Sequence, residues 1–312
     1  SILMHSDLSI RLLKTDLLFT SKGSPIKQGM IAIDENNVIL DVGVKLEHQY
    51  EGDLEYYPGA ICPGFVNTHC HLELSHLKGK LHQKTGLDGF IQELQLHREA
   101  SAEEVNARIS EEDELMRQNG IVAVGDISNG SSTFLAKSRS KIKYHTFIEL
   151  FGFDPAAADE VFDRGQKLQA EASALNLNSS LVPHSPYSVS RKLFTLLSSS
   201  NQTISSIHNQ ESEGENEIYF SGSGALAEML QGFGIDLDSF EPSGRTSLVS
   251  YLDFLPKESN TQPVHNTFTS RDDLLQAERT NQDLFWCFCP KANLFIENRL
   301  PDIPLFLEAD VN

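Results

Sequence analysis

The hydrophobic pattern of the 312-residue chain changes its grammar once, near residue 63. Over residues 11–60, short β-rich pieces alternate with turns: "DLLFT", "SKGSP" and "GMIAIDENNVILDVG". Asp34-Glu35-Asn36-Asn37, set between "MIAI" and "VILDV", predicts a hairpin, because Asp and Asn tolerate the tight backbone that joins two β-rich runs. The expectation is a small β-rich domain over residues 1–62, ending at "YPGAICPG".

From residue 63 onward, apolar runs of strand length alternate with stretches of helical period. "GFVNTH", "GIVAVGDIS", "KYHTFIELFGF", "SSLVPHSPY", "TISSIHNQE", "QPVHNTFT" and "DLFWCFCPKAN" predict seven strands in series. A helix is expected over about 88–119, with Ser101 and Glu104 at capping-box spacing and Gly120 as its stop. "PAAADEVFDRGQKLQAEASAL" carries Pro155 in a first helical turn; "SRKLFTLLSSS", "SRDDLLQAERT" and "IPLFLEADVN" supply further helices. Repeated strand-helix alternation implies parallel strands with right-handed crossovers. Seven in series suit an α/β fold of the (β/α)8 TIM-barrel type better than a doubly wound sheet. The predicted barrel covers residues 63–312 and is incomplete at its C-terminal end, with the eighth strand absent.

Barrel chemistry sits at the C-terminal ends of the strands. His69 and His71 follow the first strand, His184 the fourth, His208 the fifth and His265 the sixth. Residues i and i+2 of an extended chain share a side, so His69 and His71 can reach one ion together. With His208 they form a candidate metal set, while His184 and His265 could serve metal, substrate or water. Glu211, three residues past His208, would hang a carboxylate over such an ion without ligating it. The plainer alternative for Glu211 is an acidic loop residue, since Glu213, Glu215 and Glu217 follow closely. Cys287 and Cys289 alternate with Trp286 and Phe288 as in a buried strand, and Cys70 should face away from its flanking histidines.

Composition narrows the partners. A net charge of −19 excludes a phosphate-backbone partner such as nucleic acid. The contents of 39% hydrophobic and 22% charged residues indicate a globular chain. "SILMHSDLSI" is too short and polar for a signal peptide, no run reaches membrane-spanning length, and four cysteines make no secreted framework. A cytoplasmic enzyme or binding protein is expected.

"PGFVNTHCH" after the first strand, "PHSPYSVS" after the fourth, "HNQE" after the fifth, "VHNTFT" after the sixth and "CPKAN" after the seventh come in a specific order. In this the chain, from about residue 14 to 312, resembles the cytosine-deaminase-like branch of mononuclear deaminases in the amidohydrolase superfamily. The resemblance implies one divalent metal ion, zinc or else iron, held by His69, His71 and His208. It implies Glu211 as proton shuttle, His265 as the residue positioning the attacking water, and His184 as a substrate contact. A binuclear relative would need a carboxylated lysine after strand four, where this chain has His184 and where Lys192 lies too far along. The family's last ligand, an Asp after strand eight, is expected beyond residue 312, because Asp310 falls in a helix-to-strand turn. "HCHLELS" is also similar to the H-x-H-L-E-[FL]-S string of aminodeoxyfutalosine deaminases. That implies a 6-aminopurine nucleoside, with Glu73 either bonding a substrate hydroxyl or amino group or bracing the metal histidines. The expected reaction is hydrolytic deamination of an aminated heterocycle. Two alternatives stand beside it: a chlorohydrolase or other amidohydrolase acting on a cyclic C–N substrate, and a non-catalytic barrel scaffold. The expected partner is a small-molecule substrate, with no nucleic acid or membrane; a homodimer is the assembly to test.

Overall fold

The structure, a computed structural model, describes residues 9–200, 202–238, 240–280 and 282–311. Two compact units divide the chain, Ser1–Phe65 and Val66–Asn312.

The first unit holds β1 (Arg11–Leu18), β2 (Ile26–Lys27), β3 (Met30–Ile33), β4 (Ile39–Gly43) and β5 (Asp53–Ile61). They form one sheet in the order β2-β1-β3-β4, with β5 parallel to β1. The β3–β4 hairpin closes where the sequence places it: Asp34 Oδ1 accepts from Asn36 N at 2.9 Å and Val38 N at 2.8 Å. Asn37 supplies the left-handed residue, at φ 60°. All four residues of β3 are buried. Met30 and Ala32 pack with Leu12 and Leu46, while Ile31 and Ile33 pack with Leu18 on the opposite face.

The second unit contains β6 (Phe65–Cys70), β7 (Ile121–Ser128), β8 (Lys143–Leu150), β9 (Asn178–Pro183), β10 (Ile204–Asn209) and β11 (Asn260–His265). β6-β7-β8-β9 make one sheet and the parallel pair β10-β11 another. His208 N donates to His184 O at 2.9 Å, joining β10 to the end of β9. On the other side the Thr68 carbonyl accepts from Gln262 Nε2 at 2.9 Å, and the Thr68 hydroxyl lies 3.2 Å from Cys287 Sγ.

The expected seventh strand is reduced to two parallel bridges, Thr261↔Leu284 and Val264↔Cys287. The reason is Pro263. Phe285 N→Thr261 O, Cys287 N→Pro263 O and His265 N→Cys287 O are all made at 2.9–3.0 Å. A proline in β11 has no N–H to donate between them, so the ladder is interrupted at its centre.

The helices are α1 (Gly86–His97), α2 (Ala102–Gln118), α3 (Phe134–Arg139), α4 (Ala158–Ala174), α5 (Arg191–Ser198) and α6 (Glu213–Ser221). After them come α7 (Ala225–Gly232), α8 (Ser247–Tyr251), α9 (Arg271–Arg279), α10 (Pro290–Ile296) and α11 (Ile303–Glu308). The single helix expected over 88–119 is two, because Ser101 adopts extended backbone to cap α2, accepting from Glu104 N at 3.1 Å. Val161 of α4 and Leu193 and Leu197 of α5 share a buried core with Ile148 of β8 and Leu181 of β9. Each such side chain contributes about 1.5–3 kcal/mol by leaving water. At Gly125 in β7 the strands approach closely: a methyl group built there would lie 2.5 Å from Thr68 O and 2.9 Å from the Phe147 ring. Cys70 packs with Leu72, Ile109 and Val124, and Cys287 is buried. Among the described residues, no helix is long and apolar enough to cross a membrane.

Candidate active site

His69 lies near the end of β6, and His71 follows it by one further alternation. Their side chains meet at His71 Nε2, which is 3.1 Å from His69 Nε2. Across 137 positions of sequence, His208 Nε2 near the end of β10 also lies 3.1 Å from His71 Nε2. His265, the last residue of β11, joins them: one ring nitrogen each of His69, His208 and His265 falls within 4.8 Å of the others. His265 and Asn266 both adopt left-handed backbone, at φ 79° and 55°. That turn is held because Asn266 Nδ2 donates to Pro263 O and Cys287 O, each at 3.0 Å.

Glu211 Oε1 stands 3.4 Å from His265 Nε2. The His184 ring lies tilted, its centroid 5.0 Å from that of His208, and its Nδ1 lies 2.7 Å from Ser188 Oγ and 3.0 Å from Ser185 Oγ. Six of the seven residues singled out in the sequence, His69, His71, His184, His208, Glu211 and His265, therefore gather at one place. Glu73 stands one step back. Its carboxylate accepts from the backbone N–H of Asn129 at 3.1 and 3.2 Å.

Burial holds His69 well below the usual histidine pKa, as it does His265, and lowers His71 to about 3 and His184 to about 4. His208 moves the other way. Burial works to lower it, but the Glu149 carboxylate outweighs burial and lifts it to about 9. His208 Nδ1 lies 2.8 Å from His184 O, and a carbonyl can only accept, so Nδ1 carries a proton. A second proton on His208 would sit on Nε2, between it and His71 Nε2. Ring nitrogens of His69, His208 and His265 lie within 4.8 Å of one another, with His71 Nε2 between those of His69 and His208, a donor set that could hold a metal ion. Neutral imidazoles fixed through their other nitrogen are the usual donors for zinc.

Burial raises Glu211 to about 7. Glu73 is also raised to about 7, again chiefly by burial.

Three buried groups escaped the sequence reading. Glu149, near the end of β8, lies 3.2 Å from His208 Nδ1 through Oε1 and accepts from Asn129 Nδ2 at 2.9 Å through Oε2. Burial pulls its pKa up, but His184 and His208 hold it below the usual carboxylate range. Asp126 of β7 accepts from Leu72 N at 2.7 Å, just past His71, and pairs with Lys137 Nζ at 2.5 Å. Glu215 is not in an acidic loop: it sits in the first turn of α6, fully buried, and accepts from Gln210 N and Glu211 N. In sequence, "FIEL" and "GENEIY" offer only alternation and a run of acids, which point outward as readily as inward.

No family model matches the chain. It is 26% identical over 291 residues to an aminodeoxyfutalosine deaminase of a Nitratiruptor species, covering 87% of this chain and 69% of that protein. With an aminodeoxyfutalosine deaminase of Deinococcus radiodurans it shares 28% identity over 320 residues, 96% of this chain and 74% of the relative. The chain is a homologue of these deaminases. Its fold matches a Helicobacter pylori aminofutalosine deaminase in complex with methylthio-coformycin, at TM-score 0.83 and 21% identity, over 97% of this chain and 75% of that one. It also matches a zinc-complexed atrazine chlorohydrolase of Arthrobacter aurescens, at TM-score 0.70 and 14% identity, over 96% and 70%. The likeness to these solved structures shows the fold, an α/β barrel.

Proposed function

We propose that the chain is a hydrolytic deaminase that removes an amino group as ammonia from an aminated heterocycle. Its substrate class is the 6-aminopurine nucleosides, of which aminodeoxyfutalosine is the example. The reading assigns one divalent ion, zinc, to His69, His71 and His208. One observation carries it: the Nε2 atoms of His69 and His208 each lie 3.1 Å from His71 Nε2, while a carbonyl occupies the far side of the His208 ring. The names of the two relatives support the substrate class.

A divalent ion bound there supplies Lewis acidity that brings the pKa of a water towards about 7. Glu211, with its own pKa raised to about 7, exchanges a proton readily at neutral pH. It takes a proton from the attacking water and delivers it to the ring nitrogen beside the amino-bearing carbon. His265, kept neutral by burial, orients that water at Nε2, 3.4 Å from Glu211 Oε1. His184, anchored at Nδ1 by two serine hydroxyls, presents Nε2 to the heterocycle. A C–O bond forms; Glu211 then carries the remaining hydroxyl proton to the amino group, the C–N bond breaks, and ammonia leaves while the ring nitrogen keeps the first proton.

The test combines metal analysis with a panel of aminated heterocycles assayed for ammonia. The expected result is about one zinc per chain and release of ammonia from a 6-aminopurine nucleoside. Chloride release from a chlorotriazine instead would favour the chlorohydrolase reading. Absence of both metal and turnover would leave the scaffold. Glu211→Gln should keep the metal and lose about a hundredfold or more in kcat; preserved turnover would remove Glu211 from the reaction.

A further inference from the structure

Glu215 makes no hydrogen bond to an imidazole among the described residues, yet it is 0% exposed and three donors converge on it. Oε1 accepts from Gln210 N at 2.8 Å and from Ser247 Oγ at 2.5 Å, and Oε2 accepts from Glu211 N at 3.2 Å. The turn it holds is strained. Gln210 has φ 44°, the left-handed region that residues with side chains rarely adopt. Such backbone persists only where its surroundings over-determine it.

Gln210 is tied elsewhere as well. Its carbonyl accepts from Phe268 N at 3.1 Å and its Oε1 from Thr269 Oγ1 at 2.7 Å. Its Nε2 donates to Asn216 Oδ1 at 3.1 Å and Asp273 Oδ2 at 3.2 Å. Asn209, one residue earlier, donates to Asn266 Oδ1 at 2.9 Å. The turn after β10, which carries Glu211, is thereby joined both to α6 and to the turn after β11, which begins at His265.

We infer that Glu215 is the positioning residue that sets Glu211 against His265, by clasping the two backbone N–H groups of the turn between β10 and α6. The inference rests on Glu211 being the proton carrier of the proposed reaction. A carboxylate is required because acceptors are needed on both oxygens. Glutamine can keep an oxygen for Gln210 N and Ser247, but it then sets an NH2 group against the N–H of Glu211. Donor would face donor at the residue that carries the proton.

The experiment is Glu215→Gln in the metal-loaded protein, read by metal content, amide hydrogen exchange and steady-state kinetics. Metal stoichiometry should be unchanged. Exchange at the Glu211 amide should speed up about tenfold or more, while the amides within β10 keep their protection. The kcat should fall about tenfold with KM within about twofold, and the same change in a Glu211→Gln background should cost less than about twofold. Unchanged exchange at Glu211 in a folded variant, or an equal loss of kcat in both backgrounds, would overturn the inference. If Glu215→Gln does not fold, the unaltered protein decides: its Gln210 and Glu211 amides should be protected like β10, and exchange at open-loop rates would refute the clasp. Should no aminopurine nucleoside be turned over, the functional reading falls while the exchange result still judges the clasp.

Discussion

The turn after β6 carries His71 and the turn after β10 carries Glu211 to the same cluster, but the buried groups that support them differ in kind. After β6, Leu72 N–H is held by Asp126, whose carboxylate pairs with Lys137 where both side chains are 0% exposed. Lys137 also donates to Ser128 Oγ at 2.9 Å and Thr146 Oγ1 at 3.2 Å. Burial pushes the Asp126 pKa up against the pull of Lys137. After β10, Glu215 and Asp273 are satisfied by N–H and O–H groups: Asp273 accepts from Ser270 N at 2.8 Å, Ser270 Oγ at 2.7 Å and Gln210 Nε2 at 3.2 Å. Among the described residues neither has a Lys or Arg partner within ion-pair distance. Losing one member of a buried ion pair strands a full charge and is felt by the whole unit. Losing one hydrogen bond in a neutral-donor network leaves the rest standing and misplaces what it held.

That contrast can be broken most easily at Lys137. Lys137→Met should cost about 3–5 kcal/mol of unfolding free energy in a denaturant titration, and adding Asp126→Asn should restore part of it by removing the stranded charge. A loss below about 1 kcal/mol would mean that the two supports are alike. A smaller effect is expected at Glu149, which lies 3.2 Å from His208 Nδ1 at the proposed metal site and close to His184. Glu149→Gln should weaken metal affinity about 10–100-fold in competition with a chelator, with the metal-free protein still folded. Unaltered affinity would show that the His184 carbonyl alone orients the ring.

A third test sharpens the β10 side through pH. Burial raises Glu215 from the usual 4.5 to about 7 despite the hydrogen bonds it accepts. Between those values the folded chain keeps a proton that the unfolded chain releases, so stability attributable to this group falls as pH rises. The unaltered protein should therefore lose up to about 3 kcal/mol relative to Glu215→Gln as pH climbs from about 4.5 to about 7, then level off. Urea titrations across that range would read it, and an opposite slope would show that the carboxylate is more comfortable ionised.

Much of this arrangement was legible in the chain because its signals are local or repeat. His69 and His71 share a side by strand geometry, and strand-helix alternation carries His184, His208 and His265 to equivalent ends. Ser101 announced a helix start correctly, yet the periodic stretch before it hid the break that separates α1 from α2. The seventh strand failed on a partner's property: its own alternation is sound, but Pro263 in β11 withholds a donor. Glu149, Lys137 and Glu215 could not be found from pattern, because a buried charge declares itself only through what surrounds it. Lys137 in particular lies on a six-residue helix whose sequence, "FLAKSR", gives no hint that its ammonium is enclosed.

The bare backbone at Gly125 carries one more consequence. Since a single methyl there would press on the carbonyl of Thr68, one residue ahead of His69, the separation of these two neighbouring strands acts as a mechanical setting for where that imidazole points. Side-chain bulk at a position outside the histidine cluster can thus retune the proposed grip on an ion several residues away, through crowding alone.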